Sequence, residues 1–354
     1  MDLPVIAEKD ATLRIKIHDP CGFTCTFCHN EGTPVVADNR RRPVGDFTTA
    51  GPSGRMSIYA ATNGATFLPG VVRPDERFTE ALTSLRDALD LSEVHFTGGE
   101  PTLHPSLAEL TQLAADAGYG VRMTSNGERG AAVIPAAAAA GLRKVNFSVF
   151  GTTAAELAEV QHARFRNVEL AERKIAALKD SIATCEAHGV KADANIVVLD
   201  HSHAGRVHRL LDEYSPQLSV RLLNSLDHGQ VSIEAIETIL AERGAVARAH
   251  YVTAGVSGAR TSYELPDGRT VYFKEIRPVR LPDTCASCRF NNDKDCQEGF
   301  YGVRLYVDRV GTYQVGVCIQ RMDLCLPLEE FLASSLPDEI VGLRTTEASV
   351  LAVA

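Results

Sequence analysis

Apolar and polar positions along the first two-thirds of the chain switch between two periods. In RFTEALTSLRDAL, Phe78, Leu82, Leu85 and Leu89 recur at helical spacing and predict one buried helix face. TLRIKIH (12–18), EVHFT (93–97), VRMTS (121–125), KVNFSVF (144–150), ADANIVVL (192–199) and LSVRLL (218–223) read as strands. Between them lie a helical pattern near 105–117, an alanine-rich helix, and a long helix near 168–187. This alternation of about six units predicts a parallel α/β sheet, open or rolled into a barrel, with chemistry at the carboxyl ends of its strands.

Two regions break the rhythm. Residues 32–73 form a long connection rich in Gly, Pro and Thr, which reads either as a substrate lid or as a loose insertion. After about residue 245 short β-rich segments take over, so the chain divides into a core domain, 1–235, and a smaller C-terminal domain, 236–354.

The 354 residues carry a net charge of −9, with Arg40-Arg41-Arg42 the one basic cluster, read as a solvated loop. That balance argues against a duplex nucleic-acid partner. No apolar run reaches membrane-spanning length, and the N-terminus lacks a secretory pattern, so the expected location is cytoplasmic. There thiols stay reduced and clustered cysteines mean metal more often than disulfide. Of nine cysteines, three fall between positions 21 and 28, five between 285 and 325, and Cys185 stands alone at helical spacing with Ile175, Leu178 and Ile182, which marks it as core.

The first group, DPCGFTCTFCHNEGTP, follows a strand end directly and spaces its thiols Cys21-x3-Cys25-x2-Cys28. A four-iron cubane wants one thiolate per iron, so three thiols leave one iron open. A zinc loop would need a fourth ligand, with His18 and His29 the neighbours at hand. Together with Phe27 before the last cysteine, this spacing resembles the signature of the radical S-adenosylmethionine (SAM) superfamily. HFTGGEPTLHP, with Gly98, Gly99, Glu100 and Pro101, resembles that family's glycine-rich turn, and TSNG (124–127) and NFSVFG (146–151) occupy later strand ends. The resemblance implies a partial (β/α)6 TIM-like barrel. It also implies a [4Fe-4S] cluster on Cys21, Cys25 and Cys28, and SAM contacts from Phe27, Gly98, Gly99, Glu100, Ser125, Asn126, Ser148 and Leu226. For Ser125, Asn126 and Ser148, turn capping is the plain alternative.

The second group places Cys285-x2-Cys288 before Cys296, Cys318 and Cys325, a pattern suited to zinc or to an iron–sulfur cluster. It resembles the small α+β auxiliary-cluster domains of the Twitch and SPASM type, and VRLYVDRVGTYQVGVC resembles a segment of the molybdopterin-pathway GTP cyclases. That implies an auxiliary [4Fe-4S] cluster on Cys285, Cys288 and Cys318, with Cys296 the favoured fourth ligand and Cys325, beyond the hairpin, the alternative. Arg14, seven residues before Cys21, matches a substrate arginine of those cyclases, and Arg304 falls in their arginine strand. Asp193 and His95, however, stand where they carry a lysine and an arginine, and the Gly-Gly tail is replaced by VLAVA. The departures imply a smaller or less anionic substrate than GTP.

The activity implied is hydrogen abstraction from a sugar- or nucleoside-like metabolite by a 5′-deoxyadenosyl radical, in antibiotic or secondary metabolism, with electrons from a donor such as flavodoxin or ferredoxin. The best single candidate reaction is radical decarboxylation of a cytosylglucuronate-type substrate, its carboxylate met by Arg14, Arg304 or Arg321, with His95 a further candidate substrate-binding residue. The alternatives are a sugar dehydrogenase or epimerase, a peptide-modifying maturase, and a non-catalytic metal or redox protein.

Overall fold

The computed structural model describes residues 3–28, 68–293, 295–318 and 321–352. Arg40-Arg41-Arg42, His29 and most of the long connection lie outside them. In chain order the first elements are β1 (Val5–Lys9), β2 (Thr12–Lys16), α1 (Glu76–Leu89), β3 (Glu93–Thr97), α2 (Leu107–Asp116), β4 (Gly120–Ser125), α3 (Gly130–Ala139) and β5 (Leu142–Ser148). Next come α4 (Ala154–Glu159), α5 (Val168–Ala187), β6 (Lys191–Val198), α6 (Ala204–Glu213), β7 (Ser219–Asn224) and α7 (Gly229–Glu242). The last part holds β8 (Val246–Ala254), β9 (Gly258–Glu264), β10 (Thr270–Ile276), β11 (Val303–Val307), β12 (Tyr313–Gly316), β13 (Cys325–Pro327), α8 (Leu328–Ala333) and α9 (Leu336–Leu351).

The strands form one sheet in the order β1-β8-β9-β10-β7-β6-β5-β4-β3-β2-β11-β12-β13. From β2 to β7 every ladder is parallel and every strand lies beside its sequence neighbour, with helices crossing between them. A sheet wound in one direction without a switch in strand order curls into a barrel wall. Here the curl brings its ends together, because β1 and β2 stand at opposite ends of a ten-strand run yet only Asp10 and Ala11 separate them in the chain. This is the α/β partial barrel expected of the sequence. The strands after residue 235 continue the same sheet at both its edges.

Burial explains the wall. On α1, Phe78, Leu82, Leu85 and Leu89 are all fully buried against the sheet, each worth about 1.5–3 kcal/mol. Asp75 caps the helix, its Oδ1 accepting from the Phe78 N–H at 3.0 Å, which supplies a partner for one of the orphan first-turn donors. Along the strands the period of two sorts residues. Leu13, Ile15, Val94, Phe96, Val121, Met123, Val145 and Phe147 are completely buried in the core under the helices. The alternate positions, among them Arg14, His95, Arg122, Asn146 and Arg221, face a lumen.

The barrel seam is closed by α9. Its Arg344, fully buried, donates to the Leu89 carbonyl at 2.6 Å and to Asp10 Oδ2 at 3.1 Å. Cys185 is completely buried, as its spacing predicts. Among the described residues no helix is long and apolar enough to cross a membrane.

Candidate active site

The cysteine loop leaves the end of β2 and lies over the mouth of the barrel. Its approach depends on Gly98 and Gly99: a Cβ on Gly98 would meet the His18 carbonyl at 2.3 Å, and one on Gly99 the Asp19 carbonyl at 2.0 Å. The two backbones are tied by Gly99 N–H to the His18 carbonyl and Glu100 N–H to the Pro20 carbonyl, both 2.8 Å. The glycine pair therefore lets the turn that ends β3 press against the lead-in of the cysteine loop. Glu100, buried beneath, accepts from Thr102 N and Oγ1, Ser125 Oγ and Asn126 N, locking this turn to the end of β4. Burial raises its carboxyl above the usual range, opposed by those same donors.

Donors also surround the thiols. Gln161 Nε2 lies 3.6 Å from Cys25 Sγ, Asn126 Nδ2 is 3.6 Å from Cys21 Sγ, and Phe23 N is 3.4 Å from Cys21 Sγ. Gln161 is itself fixed by accepting the Thr24 N–H at 2.7 Å. Burial pushes the Cys25 thiol up to about 12, with the Gln161 contact pulling the other way. Ionisation there requires a compensating cation, and N–H donors aimed at sulfur suit thiolates bound to iron. The loop thus fits an iron–sulfur cluster. His18 is committed elsewhere, its Nε2 2.8 Å from the Glu100 carbonyl. Among the described residues no three His, Cys, Asp or Glu side chains converge on an ion-sized site.

A cavity of about 1700 Å³ runs from this loop down the lumen. Pockets for a single small molecule run to about 300–1,000 Å³, so this one has room for a nucleotide-sized cofactor and a second molecule. Cys21, Cys25, Cys28, Phe27, Gly98, Gly99, Glu100, Ser125, Asn126, Ser148 and Leu226 all line it. So do Arg14 and His95. Arg304 is buried behind, 5.4 Å from the Tyr301 ring. Arg321 is not part of this wall: it pairs with Asp323 at 2.5 Å and hydrogen-bonds Cys288.

The sequence reading missed the deep lumen. Arg122, Arg221, Arg260, Lys274 and Tyr301 line it with Arg14 and His95. Three of these arginines face the chain's own carboxylates: Arg122 with Glu93 at 2.9 Å, Arg260 with Glu8 at 2.7 Å, and Arg221 with Asp193, which also holds Lys144 at 2.6 Å. His95 Nε2 contacts Thr124 Oγ1 at 2.8 Å, while its buried Nδ1 has no partner. Burial, then Arg122, Arg14, Arg221 and Lys274, hold that imidazole neutral, well below its ordinary range. Asn195 and Asn224, also on the wall, keep buried side-chain oxygens without partners. Such orphans in a roomy polar cavity are the groups a ligand would satisfy.

In the second cysteine group Cys285 and Cys288 share a tight turn, Cys288 N–H to the Cys285 carbonyl at 3.1 Å. Burial raises the Cys285 thiol, and Cys288 and Cys296 are near enough to raise it further. Cys325 lies on β13 opposite Gly316 and is pushed up to about 12 by burial alone, with no neighbouring thiol contributing.

A model of the radical SAM superfamily matches residues 15–203. A "Probable GTP 3′,8-cyclase" of Thermococcus kodakarensis is 27% identical over 137 residues, which cover 39% of this chain and 34% of that protein. One from Saccharolobus islandicus strain L.S.2.15 is 23% identical over 358 residues, covering 97% of this chain and 93% of that one. Among solved structures, Streptococcus suis SuiB bound to S-adenosylmethionine aligns with a TM-score of 0.42 at 14% identity, over 70% of this chain and 51% of SuiB. The chain thus spans about a third of the Thermococcus relative and half of SuiB. With the family model spanning more than half of the sequence, and its three cysteines and glycine turn meeting over one cavity, the chain belongs to the radical SAM superfamily.

Proposed function

We propose that the lumen holds a small, hydroxylated, carboxylate-bearing sugar or nucleoside, and that the reaction is its radical decarboxylation, as for a cytosylglucuronate-type substrate. When bound, the cluster and SAM supply a 5′-deoxyadenosyl radical that abstracts hydrogen. Cys21, Cys25 and Cys28 would hold that cluster, Glu100 would keep the glycine turn and the Ser125–Asn126 strand end in register, and a carrier of the flavodoxin or ferredoxin type would deliver electrons. The chain's contribution is to present one C–H bond and exclude water.

The observation that carries this reading is the continuity of the cavity from the cysteine loop to a cation-rich lumen. A sugar carboxylate would find Arg14, Lys274 and the unpartnered His95 Nδ1 within one chamber. The named relatives favour a second reading, a GTP cyclase-like reaction. Against it, Glu8, Glu93 and Asp193 already engage lumen arginines. A triphosphate with several negative charges competes with those carboxylates at short range, whereas one carboxylate asks far less.

Anaerobic reconstitution with SAM and reductant tests the reading. With cytosylglucuronate the wild type should release 5′-deoxyadenosine and carbon dioxide, and Cys28→Ala should release neither. Turnover of GTP instead, with cytosylglucuronate left intact, would favour the second reading.

A further inference from the structure

We propose that Tyr301, held against Lys274, is the proton-transfer residue of the lumen, taking the hydroxyl proton of a hydroxylated substrate. This rests on the lumen being the substrate chamber.

The placement of the ring is built in. Tyr301 sits in Gly299-Phe300-Tyr301-Gly302, whose two glycines take left-handed φ values of 66° and 93°. A Cβ on Gly299 would meet the Val279 carbonyl at 2.1 Å. Phe300 is buried and anchored on both sides, its N–H to the Val279 carbonyl at 2.8 Å and its carbonyl accepting from Ser257 N–H at 3.0 Å. Tyr301 lines the cavity between Glu298 and Gly302, and the anchored Phe300 makes the segment a rigid mount for its phenol.

The surroundings favour an oxygen that alternates between phenol and phenolate. Lys274, from β10, donates to the Tyr301 oxygen at 2.6 Å. Arg14, from β2, lies 4.4 Å from the ring centroid, and Arg304, from β11, 5.4 Å. Arg221, from β7, also feels this oxygen. Glu298, in the lead-in segment, opposes ionisation. Burial alone would raise the phenol, yet Arg14 and Lys274 outweigh it and bring it down from 10 to about 7. The other candidate, His95, is held neutral by burial and four cations and does not exchange protons in this range.

The step is a simple proton transfer. A substrate O–H bond breaks, a Tyr301 O–H bond forms, the electron pair stays on the substrate oxygen, and Lys274 keeps its protons. A hydroxyl on a radical carbon is far more acidic than in the parent alcohol, so a base of this strength is matched to it once hydrogen abstraction has occurred. Proton return to the open cavity resets the phenolate.

Two measurements test it. In full-length protein labelled with carbon-13 at the tyrosine ring Cζ, one of the nine tyrosines should titrate near neutrality, vanish in Tyr301→Phe, and shift upward in Lys274→Met. In reconstituted enzyme given cytosylglucuronate, Tyr301→Phe should lower the ratio of product to 5′-deoxyadenosine by roughly 100-fold, and the wild-type rise in rate with pH should flatten. Absence of a tyrosine titrating near neutrality, or an unchanged ratio and pH profile in Tyr301→Phe, overturns the inference. If the wild type forms no product from this compound, the substrate reading fails, and the resonance titration still decides whether Tyr301 is the acid–base group.

Discussion

Glu100 Oε2 accepts the backbone N–H of Asn126 at 2.6 Å, and this contact joins the two strand ends that the family resemblance assigns to SAM. Its other oxygen gathers Ser125 Oγ at 2.7 Å and Thr102 N at 2.9 Å. Glu100→Ala leaves several buried donors without partners, a loss on the order of 3 kcal/mol. Urea unfolding should show that loss, and equilibrium dialysis of reconstituted protein should show weaker SAM retention. A variant as stable and as SAM-competent as wild type would refute the role.

Gln161 gives a second handle. Its amide reaches Cys25 Sγ while its oxygen holds the loop at Thr24. Hydrogen bonds to cluster sulfurs raise reduction potentials, so Gln161→Leu should lower the potential of the cysteine-loop cluster by tens of millivolts, on the order of one 1 kcal/mol hydrogen bond. Redox titration monitored by electron paramagnetic resonance reads this directly; an unaltered midpoint argues that the contact is only structural.

At the seam, Arg344→Met removes the cation facing Asp10 inside the protein. Breaking a buried pair from one side costs about 3–5 kcal/mol. Adding Asp10→Asn should recover part of that, because the stranded carboxylate is then gone. Denaturant midpoints of the single and double variants check both statements.

Acid should destabilise the fold through its buried histidines. Burial and then neighbouring His18 lower His104 to about 4, and its Nδ1 accepts from Ser106 N–H while its Nε2 faces the Val72 carbonyl. His95 is lowered too. Below the ordinary histidine value of 6.5 the unfolded chain takes up protons that the folded chain refuses, so stability falls with pH from there toward the folded-state values. Each such group contributes a slope of up to about 1.4 kcal/mol per pH unit. Unfolding curves between about pH 7.5 and about pH 5 should show it, with a shallower slope in His104→Gln.

For the second cysteine group, the double variant Cys285→Ala, Cys288→Ala should lose roughly one cluster's worth of iron while keeping the cluster of the first loop. Metal analysis checks it, and unchanged iron content speaks against an auxiliary cluster.

The outer half of the barrel was legible because its signals are local. The α1 stripe of Phe78, Leu82, Leu85 and Leu89, and EVHFT as β3, fall where the pattern places them. Strand β1 escaped notice because VIAEK is mostly exposed and is held by backbone pairing to β8, partners at residues 5 and 250. The lumen escaped for a different reason. Parallel strands buried on both faces usually read as continuous apolar runs, yet Arg14, His95, Arg122 and Arg221 alternate with buried apolar neighbours. That period of two inside an α/β pattern was the available sign of a polar interior. Tyr301 left no local trace, since its neighbours Arg14 and Lys274 come from distant strands.

The pairing of β1 with β8 and of β2 with β11 has a consequence for biosynthesis. The thiols of the first loop are synthesised more than two hundred residues before the strands that complete the wall around them. Nascent chains grow from the N-terminus at about 5–20 residues per second, so for many seconds those sulfurs have no finished enclosure. Metal loading before those strands emerge would therefore take place in an open half-shell, with closure of the seam by Arg344 following them.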